Sequence, residues 1–240
     1  MDAQARSCTP VQEPANWVEQ HGGLSGPVAT DGTAEHGEDA RLRQAAWGLW
    51  APLGEGVSLG GALPGDVQTV PRAELWAALQ AVRFAIAPVL LLIDNEIVFE
   101  GVARVSADPH SFALNLHSEM VDLWRELRDE LVSKPPHFCS ALWVPSHAME
   151  VLRDPELEEK RLEKLRRARS QHGWQERWLL YNDRADAAAA RARDRHPVPA
   201  ACVNRLKAVD GVARRVLHAS VAALEGAFAA APVGRRRRVD

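Results

Sequence analysis

Cysteine is scarce in this 240-residue chain: there are three, Cys8, Cys139 and Cys202, odd in number and far apart. That spacing excludes a disulfide framework and a cysteine zinc site, and fits a reducing compartment. No apolar stretch reaches the roughly 20 residues of a membrane span, and the N-terminus lacks the basic-then-apolar layout of a secretion signal. The expectation is an intracellular protein, nuclear or cytoplasmic, with no membrane partner. Charge of one sign is also missing. The formal net charge is −3, so a polyanion partner must be held by a local basic patch or by metal ions. There is no internal repeat. What is present is ordinary for a globular protein: 46% hydrophobic and 25% charged residues, enough chain for one large domain with appendages.

The most informative stretch is Pro88-Val89-Leu90-Leu91-Leu92-Ile93-Asp94-Asn95. Unbroken apolar residues read as a strand buried on both faces, opening at Pro88 and ending on a carboxylate. Upstream, residues 1–25 mix Pro, Gly, Gln and Glu and read as a disordered lead-in, although Trp17 and Val18 could pack on the body. A short strand over 26–33 ends in Asp31-Gly32. Residues 45–51 and 56–63 flank a Pro/Gly turn and predict a hairpin. Pro71 suits the first position of a helix running to about Ile86, with Thr69 or its neighbour as cap and Leu75, Leu79, Val82 and Ile86 as its apolar stripe. Pro88 is expected to end that helix.

A short helix or turn follows Asp94 and ends near Gly101. A helix over 116–132 carries Met120, Leu123, Trp124, Leu127 and Leu131 on one face. Residues 138–144 predict a further strand, leading to Pro145-Ser146-His147. The chain is then charge-dense and helical to about Ser170. One or two helices cover 174–193, an amphipathic helix covers 202–231, and Arg235–Arg238 form a basic tail. The alternation predicts an α/β architecture, a mixed sheet with helices on its faces. Domain boundaries are expected at 26–195 for the main body, 196–232 for a helical extension and 233–240 for the tail.

Asp31, Asp94 and His147 each follow on a strand. Glu74 opens one helix, and Asp186, with Asp183 as its competitor, stands near the start of another. Clustered carboxylates raise each other's pKa unless cations neutralise them, and oxygen ligands suit hard ions such as Mg²⁺. Two such ions can position a water and stabilise a leaving oxygen in phosphodiester hydrolysis. Alone, Asp31 is a turn aspartate and Glu74 a first-turn dipole acid. The tryptophans read as packing residues.

Taken together, Thr30-Asp31-Gly32-Thr33, Arg72-Ala73-Glu74-Leu75, Ile93-Asp94-Asn95, Asp122-Leu123-Trp124, Trp143-Val144-Pro145-Ser146-His147 and Asn182-Asp183-Arg184-Ala185-Asp186 resemble ribonuclease H, in order, over residues 26–195. The resemblance implies that family's mixed sheet, an antiparallel hairpin plus parallel strands flanked by helices. It implies two Mg²⁺ ions, with Mn²⁺ as an alternative. Asp31 would bridge them, Glu74 and Asp94 would hold the leaving-group side, and Asp186 the water-activating side. His147 would assist proton transfer or product release, and Thr69 would contact a phosphate of the DNA strand. The implied reaction is hydrolysis of the RNA strand of an RNA–DNA hybrid by a monomer, freestanding or cut from a retroelement polyprotein. A non-catalytic hybrid-binding domain and another two-metal nuclease of the same superfamily are the alternatives.

This chain departs from the family pattern in four places. Val70-Pro71 replaces an Asn pair, and Asn95 stands where Ser is usual. Residues 104–115 hold only Arg104 where a basic protrusion can occur. The stretch from His147 to Asp186 is long and carries Lys160, Arg161, Lys164, Arg166, Arg167 and Arg169. That inserted helix is expected either to supply the electrostatic grip on nucleic acid or to be a solvated face.

Overall fold

The computed structural model describes residues 14–37, 39–115, 118–146, 148–149 and 153–230. In chain order these hold α1 (Pro14–His21), β1 (Leu24–Glu35), β2 (Gln44–Ala51), β3 (Val57–Ala62), α2 (Val70–Phe84), β4 (Ala85–Ile93), α3 (Glu96–Ala107), α4 (Val121–Val132), β5 (Cys139–Trp143), α5 (Pro155–Arg169), α6 (Arg177–Arg195) and α7 (Ala200–Ala230). The expected tail Arg235–Arg238 lies outside the described residues. Residues through Pro197 form one compact unit and those from Val198 a second. No described helix is long and apolar enough to cross a membrane.

The apolar run ending at Ile93 lies in the sheet between two parallel neighbours. The strand order is β3-β2-β1-β4-β5. β1 pairs antiparallel with β2, and β2 with β3; β4 runs parallel to β1 and to β5. Side chains alternate as a strand covered on both faces requires. Val89, Leu91 and Ile93 enter the core beneath α2, α3 and α4, while Leu92 points to the opposite face with Ala29, Trp50, Leu142 and Trp178. On that second face α6 lies very close to the sheet. A Cβ on Gly48 of β2 would stand 2.3 Å from the Ala189 nitrogen. Ala185, Ala188, Ala189 and Ala192 are fully or almost fully buried there, so small residues on both partners set the close approach.

Several expectations are corrected. Residues 14–25 are not a disordered lead-in: they carry α1 and the start of β1. Trp17 is buried against Phe84, with ring centroids 5.1 Å apart. One large aromatic gives this polar segment the burial its composition lacks.

Pro88 does not open its strand. The residue before a proline is driven to extended backbone, and here α2 stops at Phe84 and β4 begins at Ala85. Ile86, expected in the helical stripe, is instead 60% exposed on the strand. The missing Pro88 amide falls where the β1–β4 register shifts, between the pairs Leu24–Ala85 and Gly26–Val89.

Gly101 does not end α3 but sits inside it. The Trp124 ring occupies the space a Cβ would take, at 2.2 Å. α4 starts at Val121 rather than 116, because Ser118 ties up the amides of Met120 and Val121 in a turn. α6 is one helix, so Asp186 lies at its middle and not near its start.

α7, in the second unit, is a single 31-residue helix. Its stripe of Val209, Val212, Val216, Leu217, Val221 and Leu224 is exposed.

Candidate functional site

The parallel register pairs Thr30 with Ile93, so the next residues, Asp31 and Asp94, come side by side at the carboxyl end of β4. Ligands of open α/β sheets bind just beyond such strand ends. Glu74 arrives from α2, whose start is fixed by a clamp between the buried Arg72 and α4. Arg72, 8% exposed, donates through Nη1 to Asp122 Oδ1 (2.8 Å) and to the Glu119 carbonyl (2.9 Å), and through Nη2 to Asp122 Oδ2. In the sequence the Arg72 and Asp122 segments stand as separate motifs; folded, they join α2 to α4. Gly32 gives α2 room to approach β1, since a Cβ there would meet the Glu74 nitrogen at 2.7 Å.

One carboxylate oxygen from each of Asp31, Glu74 and Asp94 lies within 4.8 Å of the others. Asp31 is 6% and Glu74 4% exposed. Burial raises the Asp31 pKa well above the ordinary carboxylate value, and the charges of Asp94, Glu74 and Asp186 push it further; the Gly32 amide, donating to Oδ1 at 2.7 Å, opposes them. Burial, then Asp94, does the same to Glu74. Asn95 serves two elements. Its Oδ1 accepts from the Ile97 and Val98 amides and caps α3, and its Nδ2 donates to Glu74 Oε1 at 3.4 Å. Glu74 Oε2 is buried with no hydrogen-bond partner.

The cluster opens into a cavity of about 420 Å³. Asp183 and Asp186 line it with the buried Asp31 and Glu74 and the half-buried Asp94, and no described residue on its wall is Lys, Arg or His. Concentrated carboxylates without a balancing base, one with an orphaned buried oxygen, fit a hard divalent cation by charge and donor type. His147 lies outside the described residues; its neighbours Ser146 and Ala148 are on the cavity wall. Asp183 and Asp186 are both there, and of the two it is Asp186 whose charge acts on Asp31.

Thr69 is the N-cap of α2 but makes no side-chain cap bond. It belongs to a second, mostly apolar cavity of about 530 Å³ that includes Arg43, Pro71 and Ile97.

The basic helix α5 is seated by Leu165 and Ala168. Most of its cations are already engaged. Lys160 pairs with Glu156 at 2.6 Å, Arg161 with Glu158 at 2.5 Å, and Arg169 with Glu176 at 2.5 Å. Arg167 pairs with Glu96 of α3 at 2.5 Å and lies over the Trp143 ring. Among the described residues, Lys164 and Arg166 make no ion pair.

Sequence reasoning did not assign Asn182. It is 5% exposed, stands one turn before Asp186 on α6, and donates through Nδ2 to Asp94 Oδ2 at 3.5 Å. The available signal was its spacing: residues four apart share a helix face.

The strand order, with an antiparallel hairpin continued by parallel strands and helices on both faces, is that of a ribonuclease H-like fold. No family model matches the chain, and no curated protein does. Among solved structures it is similar to RNase H1 from the halophilic archaeon Halobacterium salinarum, at 17% identity over 71% of this chain and 98% of that one, with a TM-score of 0.42. It is also similar to a foamy viral protease-reverse transcriptase in complex with double-stranded DNA, at 17% identity over 68% and 92%, TM-score 0.41. A third is the native prototype foamy virus protease-reverse transcriptase, at 20% identity over 80% of this chain and 23% of that one, TM-score 0.46.

Proposed function

We propose that this chain is a divalent-metal-dependent endoribonuclease that hydrolyses the RNA strand of RNA–DNA hybrids. The observation that carries the reading is the acid-lined cavity with no described base on its wall, at the carboxyl end of β4. A phosphodiester would be repelled from such a cavity unless cations entered with it. Asp31, Glu74, Asp94 and Asp186 are the residues to hold Mg²⁺, or Mn²⁺ in its place. When bound, a pair of such ions supplies a nucleophilic water and charge stabilisation for the departing oxygen. The chain's own part is to fix the carboxylates. Asp31 is held by the Gly32 amide, Glu74 by Asn95 and Asp94 by Asn182. The substrate class rests on the resemblance of the six ordered segments to ribonuclease H.

The test is Mg²⁺-dependent cleavage of an end-labelled hybrid beside double-stranded DNA and double-stranded RNA. Cleavage of the hybrid alone, abolished in Asp94→Asn, is expected. Binding without cleavage would select a non-catalytic domain, and cleavage of double-stranded DNA another nuclease of this fold.

The grip on the hybrid is assigned to Lys164 and Arg166 of α5. Neutralising both (Lys164→Gln with Arg166→Gln) is expected to weaken hybrid binding and to flatten its salt dependence by about 0.9 in log–log slope for each phosphate no longer neutralised. Arg167→Gln with Arg169→Gln should change the slope less, because those guanidiniums face Glu96 and Glu176. An unchanged slope in the first pair removes α5 from the interface.

A further inference from the structure

Asn182 is a buried amide with only half of its hydrogen-bonding capacity used in a recognisable way. Its Nδ2 donates across from α6 to Asp94 Oδ2, while its Oδ1 is buried with no partner. The orientation follows from chemistry, since turning the amide over would set two acceptors, Oδ1 and a carboxylate oxygen, against each other. A buried acceptor left unpaired has lost its water without gaining a donor, which costs stability. The residue also lines the acid cavity.

The same device occurs at the next carboxylate. Asn95 Nδ2 holds Glu74 Oε1, while Glu74 Oε2 stays without a partner. Two acids of the cluster are thus each steadied on one oxygen by a neutral amide from a different helical element. A neutral donor orients a carboxylate without cancelling its charge, as an arginine or lysine would. It therefore leaves the cation affinity of the cluster intact.

We propose that Asn182 is a positioning residue for a hydrated divalent cation. Its amide nitrogen sets the orientation of Asp94, and its unpaired carbonyl oxygen accepts from a water that enters with the ion. Mg²⁺ sheds its water reluctantly and usually keeps several ligand waters. A buried acceptor beside an acid cluster is matched to that shell. The inference rests on the metal-dependent reading of the cavity and adds to it a role for α6 distinct from Asp186.

The experiment measures binding by the purified, EDTA-treated and dialysed 240-residue chain. Mg²⁺ and Mn²⁺ are titrated calorimetrically, well below the melting temperature, into the wild type, Asn182→Leu and Asn182→Ala. Partners that orient metal ligands typically contribute about 10- to 100-fold in affinity, so both variants should bind at least about tenfold more weakly. Without metal, Asn182→Leu should melt at or above the wild-type temperature, because the change removes an unpaired buried acceptor. A residue with only a structural role would produce the reverse: lower melting and unchanged affinity. Asn182→Ala keeps the test open should leucine not fit. If the wild type binds the ions and both variants bind equally well, the role of Asn182 is overturned and the reading of the cavity stands. If the wild type takes up neither Mg²⁺ nor Mn²⁺, both fall.

Discussion

Asp31→Asn should reduce Mg²⁺-dependent hybrid cleavage by at least about a hundredfold, the scale on which loss of one oriented charge-stabilising group is felt. The same variant should make the metal-free protein more stable. Asp31 is almost fully buried, with one carboxylate oxygen from each of Glu74 and Asp94 within 4.8 Å of its own. Its pKa is raised by burial and by those charges. An acid whose folded pKa lies above its unfolded value destabilises the fold in its charged form. That penalty is absent below the unfolded value of about 4. It grows as pH rises towards the folded value and is fully present above it.

The stability gap between the Asp31→Asn variant and wild type, measured in EDTA by thermal unfolding, should therefore be widest near neutrality and close as pH falls into the ordinary carboxylate range. Acid-labile pairs elsewhere, such as Asp122 with Arg72, titrate in both proteins and cancel from the difference. Adding Mg²⁺ should reverse the order, because a ligand that binds only the folded state stabilises by mass action. The amide retains the oxygen that accepts from Gly32, so misfolding is not the expected outcome. A variant that is less stable without metal, or one that still cleaves, contradicts the assignment of Asp31.

Much of this arrangement could be read from the chain because it rests on local patterns. Leu91, Leu92 and Ile93 announce a strand covered on both faces, and the structure sends Leu91 and Ile93 to one core and Leu92 to the other. The β1–β4 pairing is enough to bring Asp31 and Asp94 together, while Glu74 and Asp186 reach them from α2 and α6. What escaped the sequence depends on partners distant in the chain. Trp17 turns a polar segment into a packed helix by reaching Phe84 at the far end of α2. Gly101 resembles a helix terminator until Trp124 fills its place. Pro88 looks like the first residue of a strand, yet a shift in register lets it sit inside one. The spacing of Asn182 from Asp186 puts the two on one helix face, but its contact with Asp94 shows only once α6 is seen to pass over the end of β4. The basic run 160–169 carries charge in plain view, but whether a cation is available depends on Glu96 and Glu176, which belong to other segments.

Gly32→Ala should damage both the fold and the cavity. In the sequence Asp31-Gly32 suggests a turn. In the structure Gly32 lies within β1, opposite Trp47, and its backbone is extended. What the glycine supplies there is space. An added methyl would stand 2.7 Å from the Glu74 nitrogen, 2.8 Å from the Val70 oxygen and 2.9 Å from the Ala73 Cβ. These are atoms of the first turns of α2, which cannot swing aside like a flexible side chain. The Arg72–Asp122 clamp restrains that end of the helix as well. Overpacking of this kind typically costs about 1–3 kcal/mol, and the upper part of that range is expected from the urea midpoint. Relief of the clash must move α2 away from β1 and take Glu74 away from Asp31. A displacement near 1 Å at a reacting centre costs about a hundredfold in rate, so hybrid cleavage and Mn²⁺ affinity should fall together. Gly37→Ala provides the comparison, since a Cβ there meets nothing within 4 Å, and it should leave stability and activity close to wild type. If Gly32→Ala matched it in both, the close seating of α2 on β1 would not be what brings Glu74 to Asp31.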